Sequence, residues 1–178
     1  TSMWQAHVVR IDRGLGSDLK RQTAGLTDEE VDVVSHVKGY TATGPGRIVG
    51  LMDAIKYVVR NRIEGAIVEC GVWRGGSIMA AAKTLLSLGE AGRDLYLFDT
   101  FEGMSAPTNR DRGQDGTPAE VILKNLERSE DVANTWCVAG VQSVKKNVLS
   151  TGYPAEKLHL VQGKVEDTLP GAAPERIA

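Results

Sequence analysis

Two carboxylates and a glycine loop carry the residue types and spacing from which chemistry can be built. Glu69 ends a short apolar run and opens onto Gly71-Val72-Trp73-Arg74-Gly75-Gly76-Ser77, and Asp99 ends a second run, Leu95-Tyr96-Leu97-Phe98. A carboxylate at the end of the second strand of such a unit can accept both hydroxyls of a ribose, so adenosine recognition is the natural reading. A pyrophosphate requires glycine at the second position of G-x-G-x-x-G, where this chain has Trp73, and NAD is thereby disfavoured. An adenosine with an amino-acid tail fits better. Glu69 can meet an ammonium, while loop amides and a helix N-terminus can meet a carboxylate. Taken singly, the glycines read as a tight connection and Asp99 as a cap or turn; together, at this spacing, they define a ligand site.

The elements that position these residues follow from periodicity and punctuation. Residues 66 to 70 read as a buried strand, since Ile67 and Val68 suit a pleat and Gly65 marks its start. Ser77 is a good N-cap for the helix that follows, and Gly89 is placed to end it in a left-handed cap. With the second strand this makes a parallel βαβ unit, whose ligand sits outside the carboxyl ends of the strands. Residues 158 to 162 give a third strand ending at Gly163, followed by Glu166 and Asp167. Upstream, Thr27-Asp28-Glu29-Glu30 is a capping-box pattern ahead of Val31, Val34 and Val37. An amphipathic helix follows through Ile48, Leu51, Met52, Ile55, Val58 and Val59, and is expected against the sheet. Thr117-Pro118 caps another helix, and 140 to 149 forms a further one. Phe101 and Met104 are read as core. Between them and Thr117, residues 107 to 116 are polar and glycine-broken and read as a mobile lid, with Asp111 and Asp115 as solvated acids rather than metal ligands.

The two site motifs, Glu69-Cys70-Gly71-Val72-Trp73-Arg74-Gly75-Gly76-Ser77 and Phe98-Asp99-Thr100-Phe101-Glu102-Gly103-Met104, resemble the macrocin O-methyltransferase family. The likeness extends from about Tyr40-Thr41 through Trp136-Cys137, Ser150-Thr151-Gly152-Tyr153-Pro154 and Val165-Glu166-Asp167-Thr168-Leu169-Pro170 to the last residue. It implies an α/β, Rossmann-like class I methyltransferase sheet and methyl transfer from S-adenosyl-L-methionine to a hydroxyl of a small molecule, in the family a sugar on a macrolide. By the same resemblance, Tyr40, Thr41, Glu69, Gly71, Ser77, Asp99 and Glu166 are the expected cofactor-binding residues; Lys164 after Gly163 weakens the case for Glu166. Magnesium is implied as a second cofactor with its ligands outside this segment, so no metal ligand or catalytic base is named here.

The family's fourth strand and acidic metal motif follow the segment ending at Ala178. The expectation is therefore an N-terminal half-sheet with an unpaired edge beside its first strand, open to association with a second copy. In domain terms, 1–39 is an N-terminal arm and short helix, the first 26 or so residues being an extended leader, and 40–178 is the S-adenosylmethionine-binding domain, truncated before its fourth strand. Two other readings stand beside the enzyme: a nucleotide-binding Rossmann-like protein, and a non-catalytic cofactor-binding or assembly module.

Composition narrows the classes. The chain has 178 residues, 42% hydrophobic and 25% charged, with net charge -2 and pI about 5.9, so there is no general basic surface for nucleic acid. No apolar stretch approaches a membrane span and no secretory signal is evident, which makes the expected location cytoplasmic. Cys70 and Cys137 read as reduced core thiols. His159, inside the third strand, reads as a solvent-facing or satisfied structural histidine, and the three histidines lack metal-ligand spacing.

Overall fold

In the computed structural model, which describes residues 23–131 and 133–178, three strands form one parallel sheet in the order β1-β2-β3. They are β1 (Ile67–Cys70), β2 (Leu95–Asp99) and β3 (Leu158–Gln162), each within a residue of its expected limits. The register pairs Cys70 with Phe98 and Asp99 with Gln162, so all three strands deliver their carboxyl ends to the same side. The expected leader lies outside the described residues as far as residue 22; beyond it, Leu26 packs against the core.

Six α-helices surround the described sheet: α1 (Asp28–Val37), α2 (Pro45–Arg60), α3 (Gly76–Ser87), α4 (Ala119–Leu123), α5 (Val141–Leu149) and α6 (Val165–Ala172). The capping box at α1 is formed in both directions, the Thr27 amide donating to Glu30 Oε2 at 2.7 Å and the Glu30 amide to Thr27 Oγ1 at 3.4 Å. Val33, Val34 and Val37 are buried, and α1 finds its partner surface on α3 and α2. Contrary to expectation, α2 packs chiefly on α3 rather than on the sheet. The reason lies in α3, whose Ile78, Met79, Ala80, Ala81, Ala82 and Leu85 are all buried: its small alanines allow neighbours to approach from several sides. At its C-terminus Gly89 is left-handed (φ 74) and the Glu90 amide reaches the Leu85 carbonyl at 2.9 Å, the expected glycine stop.

Several local expectations are corrected. The N-cap of α3 is Gly75, in the left-handed region with φ 90, and Ser77 lies inside the first turn, where its hydroxyl serves Glu69 instead. Helix α4 has Pro118 itself at the N-cap and no side-chain cap from Thr117, whose amide is turned toward Asp115 at 3.0 Å. Cys70 is exposed rather than core, because β1 is flanked by a partner strand only on the β2 side at this end. Phe101 is buried but Met104 is 52% exposed, the chain having left the sheet by then. Residues 107–116 form the expected loop, with Asp111 and Asp115 exposed; within it the Thr108 amide and hydroxyl donate to Asp111 at 2.7 and 2.8 Å, and Arg112 bridges Pro118.

The far side of β1 is also not bare. Ala66 and Ile177 form a parallel bridge, with the Ala66 amide donating to the Arg176 carbonyl at 2.9 Å and the Ala178 amide to the Ala66 carbonyl at 3.0 Å. Gly65 makes room for it: φ is +128, and a Cβ there would lie 2.8 Å from Ala178 N and Ile177 C. The expectation that nothing pairs on this side is therefore corrected at Ala66. After adding β2 and β3 on one side of β1, the chain returns to the other side, which makes β1 the point where strand order reverses.

Candidate functional site

In open parallel sheets the crevice beyond the carboxyl ends, at the reversal of strand order, is where ligands bind. Here that point is the end of β1, occupied by Glu69 and the glycine loop. Asp99 fastens the loop to β2. Its Oδ2 accepts the amides of Val72 at 2.6 Å and Trp73 at 3.2 Å, and its Oδ1 accepts the Phe101 amide at 2.9 Å. The Thr100 hydroxyl reaches Oδ1 at only 3.4 Å. A carboxylate oxygen accepts about two hydrogen bonds, so Oδ2 is full and Oδ1 retains room for one good donor.

Three further loop amides are also engaged within the protein. Gly71 N donates to the Phe98 carbonyl at 2.9 Å, Gly75 N to Val72 at 3.0 Å and Gly76 N to Tyr40 at 2.9 Å. This narrows the expected capture of a ligand carboxylate by loop amides, because these donors already have acceptors. The Gly76 bond explains how Tyr40 and Thr41 reach the site. A Cβ on Gly76 would lie 2.6 Å from the Tyr40 carbonyl and from Thr41 Cβ, so the residue must be glycine for the 40–41 segment to seat on the start of α3. Thr41 is buried there, its hydroxyl 3.0 Å from that of Thr43.

Glu69 differs from every other acid in the described chain. Burial, together with repulsion from Asp99, pushes its carboxyl pKa up to about 7, against the pull of the Ser77 hydroxyl and the Ile78 amide at the N-terminus of α3. Its Oε2 is buried with no hydrogen-bond partner among the described residues. Such an atom costs stability, on the order of 1–3 kcal/mol, unless something binds it. A cationic or hydroxyl-bearing ligand is the natural complement. Gly71, next but one in sequence, has open space where a Cβ would be, so the chain leaves clearance beside that carboxylate.

The structure therefore gathers Tyr40, Thr41, Glu69, Gly71, Ser77 and Asp99 at one end of β1 and β2. Glu166 stands apart, exposed in the first turn of α6 beyond β3, which is tethered to the site by the Gly163 amide donating to the Asp99 carbonyl at 2.9 Å. Left-handed backbone gathers at the same end. Of the four non-glycine residues with positive φ among those described, Trp73 (49), Phe101 (56) and Cys137 (50) belong to the chain segments at this end. Left-handed backbone in bulky residues concentrates where the surroundings over-determine it. The Cys137 thiol is half-buried, and its pKa is raised first by burial and then by Asp99, with Arg74 opposing. No group of three or more His, Cys, Asp or Glu among the described residues is arranged to hold a metal ion. No described helix is long and apolar enough to cross a membrane.

Comparison with known proteins gives a family and a fold. The family model of macrocin-O-methyltransferase (TylF) matches residues 22–178. Mycinamicin III 3''-O-methyltransferase from Micromonospora griseorubida is 27% identical over 157 residues, covering 88% of this chain and 57% of the relative. The 8-demethyl-8-(2,3-dimethoxy-alpha-L-rhamnosyl)-tetracenomycin-C 4'-O-methyltransferase from Streptomyces olivaceus is 27% identical over 139 residues, covering 78% of this chain and 49% of the relative. The chain thus spans about half the length of these curated relatives. Among solved structures, the O-methyltransferase NovP superposes with a TM-score of 0.60 at 21% identity, covering 97% of this chain and 70% of that one, which supports the fold.

Proposed function

Because the chain belongs to the macrocin-O-methyltransferase family, we propose that it forms the S-adenosyl-L-methionine site of an O-methyltransferase that acts on a hydroxyl of a small molecule, a sugar on a natural product. The observation that carries this reading is the buried, unpartnered Oε2 of Glu69 at the point where strand order reverses. That oxygen suits the ammonium of the cofactor's amino-acid tail, and Ser77 holds the carboxylate in place. Asp99 keeps the loop folded with Oδ2 and offers Oδ1 to one ribose hydroxyl. Tyr40 and Thr41 close the site from the α2 side; Glu166, beyond β3, is assigned to the adenine end.

Bound there, S-adenosyl-L-methionine would supply an electrophilic methyl group on its sulfonium. The described residues bind and orient the cofactor for in-line attack, which is where proximity lowers the barrier. No step is assigned to magnesium. The sugar-hydroxyl acceptor follows from the printed activities of the relatives, whose lengths this chain covers by about half. Calorimetry with adenosylhomocysteine tests the cofactor, and transfer of labelled methyl from adenosylmethionine to glycosylated polyketides bearing free sugar hydroxyls tests the reaction. Binding without transfer to any such acceptor would favour a cofactor-binding module; binding of NAD instead would overturn the reading.

A further inference from the structure

Residues 124–131 follow α4 as a mostly exposed stretch without helix or strand, yet they are pinned to both loops that frame the proposed site. Arg128 lies over the Trp136 ring at 4.7 Å and donates to the carbonyls of Glu102 at 3.2 Å and Met104 at 3.1 Å, just past Asp99. Arg74, at the tip of the glycine loop, lies over Trp73 at 5.3 Å and donates through Nη2 to the Glu130 carbonyl at 2.8 Å. Glu130 is itself a junction: its carboxylate accepts the Gly140 amide at 2.8 Å and the Ser143 hydroxyl at 3.3 Å, at the N-terminus of α5. Helix α5 then returns to the start, Asn147 Nδ2 donating to the Arg74 carbonyl at 3.0 Å. Arg74 is the glycine-loop residue whose hydrogen bonds join this circuit, through its guanidinium to Glu130 and its carbonyl to Asn147.

We propose that Arg74 is a positioning residue that makes the order of the 124–131 strap depend on occupancy of the glycine loop. This rests on the reading that an adenosyl cofactor binds at that loop. The strap exposes most of its residues and is fastened by hydrogen bonds rather than by packing: Arg128, Asn134, Trp136 and the Glu130 carboxylate tie it to the neighbouring loop and to α5, and the charge-assisted bond from Arg74 is what ties it, among the described residues, to the glycine loop. The loop tip that bears Arg74 is held by Asp99 through the Trp73 amide, in a left-handed conformation that nothing but its surroundings maintains. A ligand that engages Glu69 and Asp99 stiffens that tip, and the guanidinium passes the restraint to Glu130. Cofactor binding and strap order are then coupled through reduced motion rather than through a change of shape.

Hydrogen exchange measured with adenosylhomocysteine as the probe decides it. In the unaltered protein, saturating adenosylhomocysteine should slow exchange across 124–131 about tenfold, the scale of one hydrogen bond to a charged group. Arg74→Ala should exchange about tenfold faster there without ligand, bind adenosylhomocysteine within about threefold of the unaltered affinity, and show no slowing on binding. Arg74→Lys, which retains a donor but not the planar stack on Trp73, should restore part of the slowing and guards against misfolding of the alanine variant. The proposal is overturned if Arg74→Ala is slowed as the unaltered protein is, or if bound adenosylhomocysteine leaves the strap's exchange unchanged. Failure of adenosylhomocysteine to bind at all overturns the cofactor reading instead. In that case equal exchange in the free alanine variant and the free unaltered protein would also remove the positioning role.

Discussion

The two ends of this sheet carry acids in opposite states. At the amino end, Asp94 accepts from His159 at 2.8 Å and lies 3.5 Å from the Lys157 ammonium, and its pKa is lowered, chiefly by the histidine bond. At the carboxyl end, Glu69 keeps a buried oxygen without a partner and is pushed up to about 7. The amino end also has a cleft, lined by Glu64, Arg93, Asp94, Tyr96 and Glu175 among others. Concavity alone would choose that end. Its side chains mostly serve the fold, however: Arg93 donates to the Ile63 and Gly65 carbonyls, leaving only Nε unpaired, and Tyr153 donates to the Arg93 carbonyl at 2.7 Å. Unsatisfied chemistry marks a site better than hollow space does.

The largest test of the contrast is its pH dependence. A carboxyl whose folded pKa exceeds its ordinary value of about 4.5 makes the folded state bind the extra proton, so stability is highest below 4.5 and falls as pH rises through 7. The shift corresponds to roughly 3 kcal/mol. Glu69→Gln should flatten the fall in urea-unfolding stability between pH 5 and 8. It should also weaken adenosylhomocysteine binding by about 10- to 100-fold at pH 8, where the unaltered carboxylate is charged. Unaltered binding should strengthen with pH up to about 7 and then level off. A flat stability profile in the unaltered protein would erase the difference between the two ends.

The second test asks which ligand the carboxyl end takes. Adenosylhomocysteine at a hundred times its Kd should stabilise the fold by about 2.7 kcal/mol, read as a rise in Tm, while NAD should leave Tm unchanged. The structure sharpens the reason. Trp73 adopts a left-handed backbone, and its side chain packs against the core with Arg74 over the ring, so a bulky side chain stands at the position where a pyrophosphate fingerprint has glycine. A shift by NAD would break this assignment.

Asp99 should give a smaller, composite effect. Asp99→Ala is expected to weaken adenosylhomocysteine binding by roughly 1 to 3 kcal/mol, since it strands the Val72 and Trp73 amides and removes the free position on Oδ1. Calorimetry beside a thermal melt separates the parts. Lost affinity with unchanged Tm assigns the carboxylate to the ligand alone; equal losses in both assign it to the loop.

What could be read from the chain follows the range of the interactions. The strands, the capping box at Thr27 and the glycine stop at Gly89 are written in residues a few positions apart, and periodicity reveals them. Glu69, Asp99 and the glycine loop were legible as a group because one βαβ unit brings them together. The role of Ser77 was not, since a serine two residues past a glycine looks like a cap until the strand before it is seen to end in a buried acid. The Arg74 to Glu130 bond spans 56 residues and ends on a carbonyl, which leaves no trace in composition or spacing. Exposure of Cys70 and packing of α2 on α3 depend on which element flanks which, and local pattern does not encode that.

The smallest expected effect lies at the amino end, and its smallness is the point. Asp94 and His159 form a partly exposed pair at 2.8 Å, with the imidazole stacked on Tyr96 at 4.3 Å between centroids. Exposed pairs of this kind contribute about 0–1 kcal/mol because water and salt screen them. The sign is opposite to that of Glu69: a carboxyl held below its ordinary 3.8 gives stability that is present above that pH and is lost as pH falls through the lowered value. Asp94→Asn should therefore cost less than about 1 kcal/mol near pH 7, progressively less as pH falls through the lowered value, and leave adenosylhomocysteine affinity unchanged. The variant is informative because it alters an acid immediately before β2, at the opposite end of that strand from Asp99. If it weakened ligand binding as much as Asp99→Ala does, ligand and cleft would belong together at the amino end, and the unpartnered oxygen of Glu69 would need another explanation.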